Sequence, residues 1–179
     1  PERIFGIMSN DLLLAIPFFT FMGAILEKCG LAEDMLESMG QLFGPIKGGL
    51  GYSTIIVGFI LGAITGTVAA QVIAMALITL PVMMRYKYDM RYATGVLAAS
   101  GTITQLVPPS LVLIVLADQL GRSVGDMYLG AWGPSLLQIA LFAGYTFYLT
   151  LVKPEALPPV PRTLFGTALL IKCAWGIIP

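Results

Sequence analysis

Hydroxyl and amide side chains occur beside a double proline between Gly101 and Ser110, in the stretch GTITQLVPPS. These side chains supply neutral oxygen atoms, and oxygens of this kind suit a hard cation such as Na+. Pro108 and Pro109 donate no backbone hydrogen bond and disfavour helical geometry just upstream, so the stretch is not predicted to be regular helix. The candidate binding residues here are Gly101, Thr102, Thr104, Gln105, Pro108, Pro109 and Ser110.

A second stretch with similar chemistry, Thr65-Gly66-Thr67, lies in the middle of the uncharged run 48–84. The run is about twice the length of a minimal membrane span. Lys47 and Arg85 at its two ends indicate that both ends face the cytoplasm. The pattern predicts a helical hairpin with its tip near 65–67, formed either by two short complete spans or by a re-entrant hairpin. The re-entrant form is favoured, because polar backbone at membrane depth is tolerated where it lines a cavity inside protein.

The composition predicts that these stretches belong to a membrane protein. The 179 residues are 57% hydrophobic and 11% charged, whereas about a quarter of the residues in a soluble domain are charged. The net charge of zero argues against a nucleic-acid partner, which would require a basic face. The chain has no histidine, and its two cysteines, Cys29 and Cys173, are far apart. Most hydrolases and metalloenzymes are thereby disfavoured, and we do not expect an enzyme.

The predicted fold class is an all-α integral membrane protein with transmembrane helices, a re-entrant helical hairpin and a discontinuous helix. An amphipathic helix from Ala32 to Phe43 is expected to lie in the membrane interface, and Tyr86, Tyr88 and Tyr92 are expected to form an interfacial aromatic belt. Because no targeting signal is readable and the last residues are hydrophobic, we interpret the chain as an interior fragment. The predicted segments are a transmembrane helix at 10–30, the interfacial arm at 31–47, the hairpin at 48–84, the discontinuous helix at 89–121 with its break at 101–110, a transmembrane helix at 127–152, and a cytoplasmic linker with the start of a further helix at 153–179.

A broken membrane helix can bind ions through its exposed backbone. The carbonyl groups at the end of one half carry partial negative charge, and the N–H groups at the start of the other half carry partial positive charge. Two such breaks in neighbouring segments predict a substrate or ion site near the membrane midplane of a secondary transporter. The simpler alternative is that the hydroxyl groups only satisfy the backbone of their own helices.

Four motifs in the chain resemble the large membrane subunit of tripartite ATP-independent periplasmic (TRAP) transporters. They are LLAIPFFTFMGAILEKCGLAEDML, LGAITGTVAAQVIAMALITLPVMMRYKYD, ATGVLAASGTITQLVPPSLVL and SVGDMYLGAWGPSLL. The resemblance extends from about Leu13 to Pro154, and its most specific part is the ASGT…PPS element. It corresponds to most of the first of the two inverted repeats of that subunit.

The resemblance implies an elevator-type transporter of the bacterial or archaeal cytoplasmic (inner) membrane, with several spans. Such a transporter imports organic acids delivered by a periplasmic binding protein, is driven by a Na+ gradient and contains a small membrane subunit; no other cofactor is implied. By motif, the sodium site falls on the tip Thr65-Gly66-Thr67 and on Gly101, Thr102 and the Pro108-Pro109-Ser110 turn. Thr67, Thr102 and nearby carbonyls are the implied Na+ ligands. This chain departs from the family at the tip, where serines are common instead of Thr65 and Thr67.

Two other functions fit the same residues. One is a sodium-coupled carboxylate carrier of the same superfamily that works without a binding protein. The other is a membrane assembly subunit that transports nothing, in which both breaks pack dry and bind no ligand. A membrane enzyme is the least favoured reading, because the membrane segments lack a cluster of acids, bases or metal ligands.

Overall fold

The computed structural model describes residues 15–65 and 68–160, which form helices joined by turns and contain no strand. The start of the first predicted helix, the tip residues Gly66 and Thr67, and the further helix predicted after the linker lie outside the described residues. The helices are α1 (Ala15–Lys28), α2 (Leu31–Phe43), α3 (Gly49–Thr65), α4 (Val68–Arg85), α5 (Met90–Ile103), α6 (Leu111–Leu120) and α7 (Val124–Val152), followed by a short 3₁₀ helix (Pro154–Ala156).

Helix α3 is central in the described part and packs against α1, α2, α4, α5 and α7. Small residues let α5 approach it closely. A Cβ atom built on Gly58 would lie 2.8 Å from Ser100 Cβ, and one on Gly62 would lie 2.9 Å from Thr104 Cα. Both helices advance in the same direction along these pairs, so α3 and α5 are parallel. Close packing through small residues is a common means of helix association in membranes.

Helix α2 is amphipathic, but its apolar face is buried by protein. Met35, Leu36 and Met39 are nearly inaccessible and pack in one cluster with residues of α3, α4 and α5. Ser53 Oγ in α3 donates a hydrogen bond to the Met39 carbonyl at 2.8 Å. The large side chains of that face fill the space beside α3, which contributes dispersion contacts. The interfacial position of this arm stays a prediction.

The discontinuous helix breaks later than predicted. Helix α5 continues to Ile103, residues 104–110 form turns and bends, and α6 begins at Leu111. Gly101 and Thr102 therefore belong to the last turn of α5 rather than to the break. The peptide bond between Pro108 and Pro109 is cis. Proline excludes helical geometry only close upstream of itself, so the residues before Thr104 remain free to be helical.

Helix α7 is the one helix of the described part that is long and apolar enough to cross a membrane by itself. Its 29 residues correspond to about 44 Å, which exceeds a hydrocarbon thickness of about 30 Å. It starts three residues before the predicted span 127–152. Contacts with α5 at Gln138–Thr102 and Thr146–Tyr92 show that it runs antiparallel to that helix.

Residues 153–160 are packed against the helices rather than forming a stiff, free linker. Leu157 is completely buried, and its carbonyl accepts a hydrogen bond from Gly48 N at 3.2 Å. Asp89 N donates to the Ala156 carbonyl at 3.0 Å. This segment joins the cluster that contains Tyr88 and Tyr92. The predicted aromatic belt is wrong for these two tyrosines, because the packing removes both rings from the membrane surface.

Candidate functional site

The first contact between the two predicted breaks is made by Gln71, in the first turn of α4. Its side chain is 2% exposed. Gln71 Nε2 donates to the Gly58 carbonyl of α3 at 2.6 Å, and Gln71 Oε1 accepts a hydrogen bond from Thr104 Oγ1 at the end of α5. One amide therefore connects the three helices next to the hairpin tip and to the break.

The second contact is the close approach of Gly62 to Thr104. Besides Thr104 Cα, the Oγ1 and N atoms of Thr104 lie 3.2 and 3.3 Å from the Cβ position of Gly62. Gly62 is three residues before Thr65, the last residue of α3. The end of the first hairpin helix and the end of α5 consequently lie side by side. On the other side, Gly101 packs directly against Val72 of α4.

Thr102 faces a different part of the molecule from Thr104. Positions two residues apart in a helix point in directions that differ by about 200° around the helix axis. Thr102 is exposed, its Oγ1 donates to the Ala99 carbonyl at 2.7 Å, and it lies 3.4 Å from Gln138 Nε2 of α7. The Oε1 atom of Gln138 is buried and has no hydrogen-bond partner among the described residues. Thr102 and Gln138 thus form a second polar pair, between α5 and α7.

The irregular segment 104–110 is held by hydroxyl groups. Ser110 precedes α6, but its Oγ donates to the Gln105 carbonyl at 2.8 Å and does not cap the helix. Ser135 of α7 donates from Oγ to the Leu106 carbonyl at 2.9 Å. The side chain of Gln105 itself is exposed. The backbone of the break is therefore fixed from within and from α7.

The structure brings together some of the predicted site residues. Thr104 lies against the hairpin, whereas Thr102 and the exposed Gln105 do not contact the hairpin helices through a described hydrogen bond. Thr65 ends α3, and the other two tip residues, Gly66 and Thr67, are outside the described range. The predicted joint ligation of Na+ by Thr67 and Thr102 stays a prediction.

Two residues at the site were missed by the sequence reasoning, Gln71 and Gln138. Both are isolated amides in the uncharged runs of their helices, which is the signal that could have identified them. Polar residues at membrane depth are costly unless they find a partner. The described residues contain no group of three or more His, Cys, Asp or Glu that could hold a metal ion.

These features define a class of protein. The described part of the chain consists of helices, with a hairpin and a broken helix in contact, and a family model identifies the class of protein. Residues 1–174 match the family described as "Tripartite ATP-independent periplasmic transporter, DctM component". The chain belongs to this family of integral membrane transporters and is a large permease subunit, not an enzyme. The resemblance found from the sequence motifs is thereby confirmed.

Individual relatives agree with the family. A Haemophilus influenzae protein that carries the name of a TRAP transporter large permease is 36% identical over 131 residues, which cover 73% of this chain and 33% of that protein. The C4-dicarboxylate TRAP transporter large permease protein DctM of Pseudomonas aeruginosa is 29% identical over 178 residues, covering 98% of this chain and 41% of the relative. The sialic acid TRAP transporter large permease protein SiaM of Vibrio cholerae is 30% identical over 136 residues, covering 76% and 32%. The chain thus spans between a third and two-fifths of the length of these relatives.

Proposed function

We propose that this chain is part of the permease of a sodium-coupled TRAP transporter that imports organic acids by an elevator mechanism. A periplasmic binding protein delivers the substrate, and a small membrane subunit completes the transporter in the cytoplasmic membrane. The observation that carries the proposal is the contact between the hairpin end and the broken helix, made by Gln71 and Thr104. Membership of a transporter family supports transport over a purely structural role.

Neutral oxygens and helix ends support binding of a monovalent cation at this contact. The end of α5 presents carbonyl groups with partial negative charge, and α3 ends beside it. Thr67 is the proposed side-chain ligand at this contact, together with carbonyls of the break between Thr104 and Ser110. Thr102, which faces α7, is the proposed side-chain ligand on the other side of the end of α5. The Thr102 hydroxyl donates a hydrogen bond to the Ala99 carbonyl and accepts a long one from Gln138 Nε2 at 3.4 Å, so one oxygen lone pair remains able to bind a cation.

The re-entrant form of the hairpin is part of the proposal. Helices α3 and α4 have 17 and 18 residues, or about 26 and 27 Å as regular helix. Each is slightly shorter than the hydrocarbon layer. Such a hairpin places its tip within the membrane, where a moving domain can expose it first to one side and then to the other.

Uptake by the full-length permease in vesicles tests the proposal. We expect transport of a labelled organic acid to require a Na+ gradient, the binding protein and the small subunit. Thr67→Val and Thr102→Val should each raise the Na+ concentration for half-maximal uptake by about tenfold, since an ion contact contributes about 1.5–3 kcal/mol. Unchanged sodium dependence in both variants would contradict the assignment.

Thr94→Val is the matched control for Thr102→Val. Thr94 is also an exposed threonine of α5 whose hydroxyl donates to its own helix, to the Met90 carbonyl at 2.8 Å. It lies almost three turns before the break, so the loss of its hydroxyl should leave sodium dependence unchanged. Na+-dependent uptake that needs no binding protein would instead identify the carrier of the same superfamily. Absence of any Na+-dependent uptake in the complete assembly would favour a non-transporting subunit.

A further inference from the structure

A groove lies between α5 and α7, near the end of the molecule where the basic loops meet. Its volume is about 460 Å³. The apolar walls are formed by Val96 and Ala99 of α5 and by Phe142 and Leu149 of α7. At Gly95 a Cβ atom would meet nothing within 4 Å, so the space beside this residue is open.

The groove leads into a second, polar hollow of about 590 Å³. The two share Asp89, Lys153 and Ala156 in their walls. An apolar channel that continues into a polar hollow at the membrane boundary has the amphipathic shape of a lipid molecule. Helices α5 and α7 are in contact at the Tyr92–Thr146 hydrogen bond, which is 2.9 Å long. The groove beside this contact stays open because Gly95 has no side chain to fill it.

The charges around the hollow favour an anionic occupant. Arg91 lines the groove, Lys153 lines both spaces and Lys87 lines the hollow, whereas the acidic residues are Asp89 and Glu155. Three basic and two acidic groups leave a net charge of +1. One oxygen of Asp89 is already engaged, because Oδ1 accepts a hydrogen bond from Arg91 N at 2.8 Å. Basic pockets between membrane helices on the cytoplasmic side bind anionic headgroups.

We propose that the groove and the hollow together bind one anionic phospholipid of the cytoplasmic leaflet. An acyl chain lies between α5 and α7, and the headgroup phosphate lies among Lys87, Arg91 and Lys153. Guanidinium and ammonium groups both form charge-assisted hydrogen bonds to phosphate. The bound lipid fills the gap between α5, which carries the break, and α7. This proposal rests on the membrane location of the family and does not depend on sodium coupling.

Titration of the purified full-length permease, assembled with its partner subunits in detergent, with fluorescent phosphatidylglycerol tests the site. We expect saturable binding that is tighter than that of the matching phosphatidylcholine probe. Arg91→Gln and Lys153→Gln should each weaken binding of phosphatidylglycerol about fivefold. Arg122→Gln is the control, because Arg122 is exposed at the opposite end of α7. The affinity of this variant for phosphatidylglycerol should be unchanged.

Filling the groove provides a second, independent test. Gly95→Leu should abolish saturable binding, whereas Gly144→Leu should not, since a Cβ at Gly144 also meets nothing within 4 Å but the residue lies outside the groove. If Gly95→Leu does not yield folded protein, Arg91→Gln and Lys153→Gln, which change exposed side chains, still test the proposed lipid site. Equal affinity for both lipids, no binding by the assembled permease, or undiminished binding in Gly95→Leu and the charge variants would overturn the proposal. Sodium-dependent uptake is measured separately, so failure of the lipid site leaves the proposed function intact.

Discussion

At the scale of single residues, the side chain that explains most of the site is Gln71. A buried amide needs partners for its donor and its acceptor, since each unsatisfied polar group is costly away from water. Gln71 finds them on two other helices, at Gly58 and Thr104. Gln71 therefore positions the first turn after the hairpin tip relative to the break.

Removal of this amide should weaken both stability and sodium binding. Gln71→Leu leaves the Thr104 hydroxyl and the Gly58 carbonyl without this partner, and interhelical hydrogen bonds in membranes contribute about 0.6 to 1.7 kcal/mol each. We expect a loss of about 1–3 kcal/mol in the free energy of unfolding and a weaker apparent Na+ affinity. Thermal unfolding in detergent and Na+-dependent uptake measure the two effects.

Thr104→Val and Thr79→Val form a matched pair for this prediction. Both threonines are completely buried, but the Thr79 hydroxyl has no hydrogen-bond partner among the described residues. Thr104→Val should reproduce part of the Gln71→Leu defect. The double variant Gln71→Leu/Thr104→Val should lose less stability than the sum of the losses in the two single variants. Thr79→Val should change little. Equal defects in the two threonine variants would show that volume or polarity, rather than the Gln71 bond, matters.

At the scale of elements, the α3–α5 contact depends on the absence of side chains. Gly58 and Gly62 are one turn apart on α3 and face Ser100 and Thr104. Ridges of small residues allow the two helix backbones to approach closely, which brings the end of α5 to the hairpin tip. The position of the break relative to the tip is thus decided by helix packing as well as by the break itself.

Adding a single methyl group to this interface should separate the helices. The Cβ atoms of Gly58→Ala and Gly62→Ala would meet Ser100 Cβ at 2.8 Å and Thr104 Cα at 2.9 Å, and overpacking typically costs about 1–3 kcal/mol. We expect lower thermal stability for both variants, with the larger transport defect for Gly62→Ala, which lies beside Thr104. Gly130→Ala is the control, because its Cβ meets nothing within 4 Å. A stability equal to that of the control would disprove the packing role.

At the scale of the whole molecule, the described chain has two chemically different ends. The loops that carry Lys47 and Lys87 meet the segment after α7 through the Gly48–Leu157 and Asp89–Ala156 hydrogen bonds. The turn with Arg122 lies at the other end, because α7 runs antiparallel to α5 and begins well beyond the break. Basic residues gathered at one end are the pattern expected of a cytoplasmic face.

Site-directed labelling can test this orientation in the full-length permease. In a cysteine-free background, Lys87→Cys should react with a membrane-impermeant reagent only from the cytoplasmic side, and Ser123→Cys only from the periplasmic side. Both residues are exposed, so burial does not limit the reaction. Labelling of both positions from the same side would contradict the proposed topology.

Local chemistry made part of this molecule readable from the sequence by itself. The double proline and the run without charges specify a broken membrane helix, and α6 begins at Leu111, directly after Ser110 with its extended backbone. The motifs were also sufficient to identify the family, since they combine these local signals at a specific spacing. The absence of histidine and the wide separation of the two cysteines disfavoured most hydrolases and metalloenzymes.

Packing decided what the sequence alone did not. The Gln71–Thr104 hydrogen bond joins residues that are far apart in the chain. The direction in which Thr102 faces and the burial of Tyr88 depend on the exact rotation of their helices. Local patterns specify whether a segment is helical and which face is apolar, but the partner of that face is chosen by how all helices fit together. Met35 shows this difference: its amphipathic helix was predicted, whereas its burial against protein instead of lipid was decided only by the tertiary structure.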